Sequence, residues 1–386
     1  MLPARVYAKV NLDAICRNVR RVIDKVGKDV SVMAIVKTDA YGHGAVPVAK
    51  ALCEIGVNSF GVATVEEALQ LRRNGISSPI LILGYVFPED YEKIIENDIM
   101  HAVFRYENAV ELSKKAVEMG KTAKIHIAVD TGMGRIGFQP NDESLEEIKK
   151  ISQLENIEIN GIFTHFACAD EKDKTSCNAQ KQLYLGFLEK IAANGIKIPV
   201  RHMDNSAGII DYNSDFLDMV RVGIMTYGLY PSEEVDKSGF RLDPALEIIS
   251  RVTFVKKVPA GFNVSYGSTY TTDRDTEIAT VSIGYGDGYP RSLSNKGRVL
   301  INGKFAKILG RVCMDQMMVD VTGMGVKQGD RVVVVGRDGD NFISVEEVAD
   351  AAGSFNYEFC CCINMRVPRV YIKDGKISQI IDYTDR

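Results

Sequence analysis

Apolar positions recur every three to four residues after Asn11. Leu12, Ile15, Val19, Val22, Ile23 and Val26 share one face, the spacing of an amphipathic helix. A β-branched run of strand length follows at 30–36. The alternation continues to about residue 230, with strand candidates at 59–63, 80–83, 100–104, 124–129, 159–165, 200–203 and 219–222. Helical stretches such as 65–73, 106–119 and 178–193 separate them. Strand–helix repetition of this kind predicts parallel βαβ units. Eight strand candidates in about 220 residues match a closed (β/α)8 barrel, typically roughly 250 residues long. A doubly wound open sheet is the alternative.

The pattern breaks between Tyr230 and Leu246, where Pro231-Ser232-Glu233-Glu234, Gly239 and Pro244 read as a linker. Beyond it the apolar segments become short and β-branched, at 278–283, 299–301 and 331–335. Gly-containing turns such as Asn302-Gly303 and Asp374-Gly375 separate them. These features predict a mainly antiparallel β domain. The expected division is a barrel over residues 1–235 and a β domain over 236–386. Residues 5–10 precede the first helix and are a candidate strand of the β domain.

Composition narrows the function classes. The chain has 386 residues, 46% apolar, with 47 basic and 51 acidic side chains, a net charge of −4. Those values fit a globular protein and supply no basic footprint for nucleic acid or anionic membrane. No apolar run approaches the ~18 residues of a membrane span, and the N-terminus shows no secretory h-region, so a cytoplasmic protein is expected. Eight cysteines in a chain of this length read as reduced small hydrophobes. Cys360, Cys361 and Cys362 are consecutive and, if on a strand, alternate faces. The five histidines lack metal-ligand spacing, so no metal is expected.

In a (β/α)8 barrel, chemistry gathers where strands end, and phosphates favour the loops after strands seven and eight. The first strand ends at Lys37 and the fifth runs into Thr131-Gly132-Met133-Gly134-Arg135. The sixth ends at His165, the seventh leads to Asn205-Ser206, and the last carries Arg221 before Gly223. One lysine, two arginines and a histidine thereby converge on one mouth. A lone lysine after a strand is ordinarily a solvated surface residue. Beside a phosphate cradle and other cations, a partly buried lysine is instead an amine nucleophile toward an aldehyde. Pyridoxal phosphate needs those parts: an imine-forming lysine, a phosphate cradle and a partner for its ring nitrogen.

Gly132-Met133-Gly134-Arg135-Ile136-Gly137 is a literal dinucleotide-binding GxGxxG after a predicted strand. Its context fails, because Phe138-Gln139-Pro140-Asn141-Asp142 intervenes before a helix can start. Gly284-Tyr285-Gly286-Asp287-Gly288-Tyr289-Pro290 reads as a turn of the β domain. A nicotinamide-dependent dehydrogenase is the alternative this motif offers, and a shift in melting temperature with NAD tests it.

Several motifs together resemble the alanine racemase family. Val36-Lys37-Thr38-Asp39-Ala40-Tyr41-Gly42-His43-Gly44 resembles its pyridoxal-phosphate signature, where alanine-asparagine is more usual than Thr38-Asp39. Agreement continues through Asp130-Thr131-Gly132-Met133-Gly134-Arg135, Thr164-His165-Phe166-Ala167, Asn205-Ser206-Ala207, Val264-Ser265-Tyr266-Gly267, Gly310-Arg311-Val312-Cys313-Met314-Asp315-Gln316, Asn356-Tyr357-Glu358 and Arg366-Val367-Pro368-Arg369. The resemblance covers essentially the whole chain, in order. It implies fold type III architecture, a barrel followed by a β domain in a head-to-tail homodimer. The implied activity is interconversion of L- and D-alanine on the external aldimine of pyridoxal 5′-phosphate, supplying D-alanine for peptidoglycan.

The resemblance also implies roles. Lys37 would carry the cofactor and act as base on one face of the substrate Cα, with Tyr266 of the partner subunit serving the opposite face. Racemisation needs such a pair, one group removing a proton and the other returning one. A phenol with an ordinary pKa near about 10 must be tuned for this task, and His165 and Arg221 resemble the family's network that does so. Tyr41, Ser206, Gly223, Ile224 and Tyr357 match phosphate contacts. Arg135 matches the group near the cofactor's phenolic oxygen and the substrate carboxylate, which the backbone of Met314 would also hold. Tyr285 and Asp315 resemble the entrance.

Arg221 would face the pyridine nitrogen. An arginine donates a hydrogen bond but supplies no proton, which favours quick reprotonation at Cα over decarboxylation or transamination. One departure stands out: many family members carry a carbamylated lysine where this chain has Ala128. Arg135 would then need another anion, which leaves room for a racemase of serine or another amino acid. A non-catalytic pyridoxal-phosphate-binding barrel is a further alternative, opposed by the β domain with Tyr266.

Overall fold

Eight short parallel strands close on one another between residues 31 and 222. The computed structural model describes residues 2–212 and 216–385. Strand β1 (Val6–Asn11) leads the chain and pairs outside the barrel. The barrel staves are β2 (Ser31–Ile35), β3 (Ser59–Val62), β4 (Ile80–Ile82), β5 (Met100–Val103), β6 (Ala123–Ala128), β7 (Ile157–Phe163), β8 (Val200–His202) and β9 (Met219–Val222). β2 pairs with β9 in parallel, with Met33 beside Arg221, so no open edge is left and the doubly wound alternative is excluded. Met33, Phe60, Ile80, Leu81 and Ile82 are buried. Burial on both faces explains why these strands read as apolar runs rather than as alternating ones.

Helices return the chain between staves. Val65–Arg73 starts at a capping box, in which Thr64 accepts from the Glu67 N–H and Glu67 reaches back to the Thr64 N–H. Gly132–Gly137 is followed by loop, and the next helix, Asp142–Ile151, is capped by Asn141. No helix N-terminus stands directly behind the glycines, which removes the context a dinucleotide fold requires.

The chain divides into two compact units. One comprises Ile15–Ala40 and Ala45–Asp243, the other Met1–Ala14, Tyr41–Gly44 and Pro244–Arg386. The division thus falls after Asp243, where the sequence pattern puts it after residue 235. The stretch read as a linker is packed: Val235, Phe240 and Leu242 are buried, and Tyr230 donates to the Phe240 carbonyl. Asn18 holds Asp243 by bonds to its carbonyl and from its N–H, both 2.9 Å, and Arg17 and Arg21 reach its carboxylate.

In the second unit, β10 (Leu246–Val258) runs for 13 residues, longer than the expected short segments. It pairs antiparallel with both Thr276–Val281 and Arg331–Asp338. Met317–Asp320, Lys304–Leu309 and Arg298–Ile301 complete an antiparallel ring between those two. β1 adds antiparallel to β10 and parallel to Arg369–Lys373, so the first strand belongs to this domain. Cys360 and Cys361 lie on the helix Asn356–Cys361, not on a strand, with Cys362 as its cap. Helical geometry still splays consecutive side chains, and no disulfide joins any of the eight cysteines. Among the described residues no helix is long and apolar enough to cross a membrane, and no cluster could hold a metal ion.

Candidate active site

The backbone leaves the first stave in an uncommon conformation. Thr38, Asp39 and Ala40 all have φ between 50 and 55° with ψ near 50°, and Tyr41 has φ 51°. Four consecutive non-glycine residues in the left-handed region carry a cost of order 1 kcal/mol or more each, and such strain gathers at functional sites. Local contacts hold the turn. The Glu67 carboxylate accepts from Thr38 N (2.6 Å) and Ala63 N (2.8 Å), while Asp39 accepts from Ala45 N (2.7 Å). Lys37, partly buried, stands at the head of this turn. Glu67 thus serves twice, capping its own helix and tying down the turn after Lys37, and neither role was read from the sequence.

Arg221 is 3% exposed and makes no carboxylate ion pair among the described residues. Its Nη2 donates to the carbonyls of Thr164 (2.8 Å) and Met203 (2.9 Å) and lies 3.3 Å from His165 Nδ1. Its Nη1 donates to His202 Nδ1 at 2.8 Å, and His202 Nε2 stands 2.9 Å from His126 Nδ1. Because a guanidinium only donates, His202 Nδ1 must accept, so its proton sits on Nε2 and is donated to His126. Burial, reinforced by the Arg221 charge, holds His126 down at about 4 and His202 well below its ordinary value. Both rings are neutral at pH 7. Burial also draws Arg221 down to about 10, which still leaves it a cation. Its Nε–H has no protein partner among these bonds.

His165 is neutral for the same reasons. Burial first, then the charges of Arg221, Arg135 and Lys37, lower it to about 3. With Nδ1 accepting from Arg221, its proton is on Nε2, available as a donor. Lys37, Arg135, His165 and Arg221 are thereby gathered within electrostatic reach of one another. Buried Gln180 joins two loops of this mouth, donating to the His165 carbonyl (3.1 Å) and the Thr131 hydroxyl (3.3 Å) and accepting from Ala167 N. Nothing in the sequence signalled Gln180, and His126 and His202 were passed over because their spacing suited no metal.

Ser206, Gly223 and Ile224 also come together. Gly223 N donates to Ser206 Oγ at 3.0 Å, and both lie where β8 and β9 lead into the short helices Ser206–Asp211 and Ile224–Tyr227. The opening amides of such helices have no intrahelical acceptor and suit an anion. Arg135 is exposed and makes no ion pair among the described residues. Ala128 is packed with Ala102 and Phe163, against Leu83 and Phe104, so an apolar cluster occupies its surroundings.

In the other unit, Tyr41 packs against Tyr357 with ring centroids 6.0 Å apart. Tyr266 is 70% exposed, on the turn Tyr266–Ser268. The preceding Ser265 donates to the Arg311 carbonyl at 2.6 Å. Tyr285 N and Gly286 N bond the carbonyls of Cys313 and Met314, so the turns bearing Tyr266, Tyr285, Met314 and Asp315 form one exposed cluster of the β domain.

A closed barrel whose mouth joins an amine on a strained turn, a guanidinium bonded to histidines and carbonyls and a set of helix-opening amides has the parts needed to hold an anionic nitrogen heterocycle beside a lysine. The residues present fit pyridoxal phosphate: Arg221 Nε–H for a ring nitrogen, Lys37 for an aldehyde, and the amides at 206 and 224, beside the Gly223–Ser206 bond, for a phosphate. Comparison with known proteins narrows the class. Residues 10–231 match the family model for the alanine racemase N-terminal domain, and residues 245–371 that for its C-terminal domain. The chain is 46% identical to an alanine racemase of Clostridium perfringens over 379 residues, 98% of each protein. The solved alanine racemase of Clostridium difficile superposes with a TM-score of 0.95 at 40% identity, covering 99% of this chain and 100% of that one. A histidine racemase from Leuconostoc mesenteroides is similar at a TM-score of 0.87 and 28% identity, covering 96% and 99%. The chain belongs to the alanine racemase family, and it is an isomerase of the racemase type.

Proposed function

We propose that this enzyme interconverts L- and D-alanine with pyridoxal 5′-phosphate, as a cytoplasmic homodimer whose sites are shared between subunits, and supplies D-alanine for peptidoglycan. The observation that carries this reading is Arg221, a buried cation ringed by neutral histidines and carbonyls with Nε–H left over. Pyridoxal phosphate supplies an electron-withdrawing ring that acidifies the substrate Cα–H. Arg221 would donate to the ring nitrogen without protonating it, which limits charge delocalisation and favours return of the proton to Cα. Lys37 Nζ takes or returns the proton on one face, and Tyr266 of the partner subunit serves the other. The exposure of Tyr266 suits a residue completed by a second copy of the chain. His165 Nε2–H would donate to that phenolic oxygen. Ser206, Gly223, Ile224, Tyr41 and Tyr357 hold the phosphate, Arg135 and the Met314 N–H hold the substrate carboxylate, and Tyr285 and Asp315 frame the entrance.

Chiral analysis of L-alanine incubated with the protein and pyridoxal phosphate tests this reading. D-alanine accumulates, borohydride locks the cofactor onto Lys37, and Lys37→Ala and Tyr266→Phe lose racemisation. Full activity in either variant overturns the two-base assignment. A second reading, racemisation of another amino acid, draws support from the structural likeness to a histidine racemase and from two features of the barrel: Arg135 makes no ion pair among the described residues, and Ala128 sits in an apolar cluster. Comparing kcat/KM for alanine, serine, lysine and histidine decides between them.

A further inference from the structure

Apart from the groups assigned above, the β domain holds a chain of charges centred on Asp287. Its side chain is wholly buried. It accepts from Arg5 Nη1 at 3.0 Å and Nη2 at 2.5 Å, from Arg366 Nε at 2.8 Å, and from Gly284 N at 3.0 Å. Arg366 turns its Nη2 to Asp315 Oδ1 at 2.5 Å. One guanidinium thus spans two carboxylates, the buried one on the 284–288 turn and the exposed one on the 313–316 loop.

Backbone bonds join the same two segments. Tyr285 N donates to the Cys313 carbonyl at 3.0 Å and Gly286 N to the Met314 carbonyl at 2.8 Å. Both carbonyls are therefore engaged, while the Met314 N–H makes no bond among the described residues. The packing leaves no slack: a Cβ on Gly284 would lie 2.2 Å from the Cys313 oxygen and 2.5 Å from that of Met314. A Cβ on Gly286 would meet the Met314 oxygen at 3.0 Å and Arg366 Nη1 at 3.2 Å. Burial pushes the Asp287 carboxyl upward, but the bonds from Arg5, Arg366 and Gly284 outweigh it, and the net displacement is downward. Asp287 stays charged and keeps Arg366 in place. A planar guanidinium can bridge two carboxylates in fixed directions, whereas an ammonium acts as a point charge.

We infer that Asp287, Arg366 and Asp315 are positioning residues that set the direction of the Met314 N–H, and so govern affinity for the substrate carboxylate without touching substrate. This rests on the reading above in which the Met314 backbone holds that carboxylate. It also gives a task to Arg366 and Asp287, whose motifs the proposed chemistry leaves unused.

Asp287→Asn removes a buried charge with two cationic partners and destabilises the domain, so the test uses Arg366→Lys and Asp315→Asn, which alter the partly exposed arm. Both are prepared as holoenzyme. KM and kcat for alanine, the Kd of propionate (a carboxylate without the amino group) by calorimetry, and Tm are measured. The expected result is a rise of about tenfold in KM and in the propionate Kd for both variants, the loss of one aimed hydrogen bond to an anion, with kcat and Tm nearly unchanged. Unchanged KM and propionate affinity in the folded variants overturn the inference, as does a fall confined to kcat. If the wild-type protein neither binds propionate nor racemises alanine, the proposed function fails; a responsive wild type with indifferent variants sinks the positioning role alone.

Discussion

In the barrel, Arg221 is enclosed by two carbonyls, His165 and His202, all neutral. In the β domain, Asp287 is enclosed by two guanidinium groups and an amide. Both arrangements bury a charge, and both satisfy it with hydrogen bonds. They differ in what is left over. Neutral acceptors orient Arg221, no carboxylate bonds to it, and buried Asp204 acts on its charge only through space, so the charge remains available to the site. Opposite charges around Asp287 cancel one another and leave only direction, which the surrounding loops receive. One region keeps a charge for chemistry, and the other uses charge for geometry.

The largest expected effect comes from breaking the first arrangement. Arg221→Gln should lower racemisation by about 10³-fold or more and cost stability of about 3 kcal/mol, since it strips a donor from three buried acceptors at once. Arg221→Lys keeps the charge and loses the fork; steady-state kinetics and thermal melts on both separate charge from orientation. Full activity in Arg221→Lys would show that orientation does not matter there. In the second region, Asp287→Asn should destabilise by about 3 kcal/mol in denaturant titrations, because two cations lose their buried partner.

Acid sharpens the contrast. His101 and His126 are held near about 4 and His165 near about 3, burial being the first cause in each, against an unfolded value of 6.5. The unfolded chain therefore binds protons first as pH falls below 6.5, and stability declines with it until the folded groups protonate. For fully buried His101 alone the loss between pH 7 and 4 is on the order of 3 kcal/mol. Asp287 behaves otherwise: its folded pKa lies below 3.8, so its contribution is intact above that value and is lost as pH falls further. Urea titrations at pH 7, 5 and 3 should show the barrel weakening first, and His101→Phe should flatten the decline between pH 6.5 and 4. An identical slope in that variant would contradict the assignment. The smallest effect is Glu67→Gln, which weakens the cap on the turn after Lys37 and should cost about 1 kcal/mol. A larger rise in KM for pyridoxal phosphate than in KM for alanine would tie that loss to the Lys37 turn.

Much of the frame was legible from the chain alone. The strand at Met219–Val222 and the helix at Val65–Arg73 coincide with their expected bounds, and the other staves differ by at most two residues at either end. Their apolar runs are dictated by burial on both faces, which leaves little freedom in where a stave can start. The 230–246 stretch was misread because its prolines, glycines and charges look solvated, although Phe240 and Leu242 turn inward and Asp243 finds Asn18, Arg17 and Arg21. The long β10 strand escaped because Arg251, Lys256 and Lys257 interrupt the apolar count, while the ladder continues past them with one irregularity between Val252 and Phe254.

The order of strands and helices and the strand ends that carry Lys37, Arg135, His165 and Arg221 were determined by the sequence, because periodicity and strand ends are local properties; closure of the eight staves, which pairs β2 with β9, was not. The tautomers of His126, His165 and His202, the left-handed turn after Lys37 and the fork of Arg366 were decided only by tertiary structure. His126 meets His202 across 76 positions and Arg366 meets Asp287 across 79. Which nitrogen carries a proton, and which way a guanidinium points, depends on neighbours that folding alone brings within three ångströms.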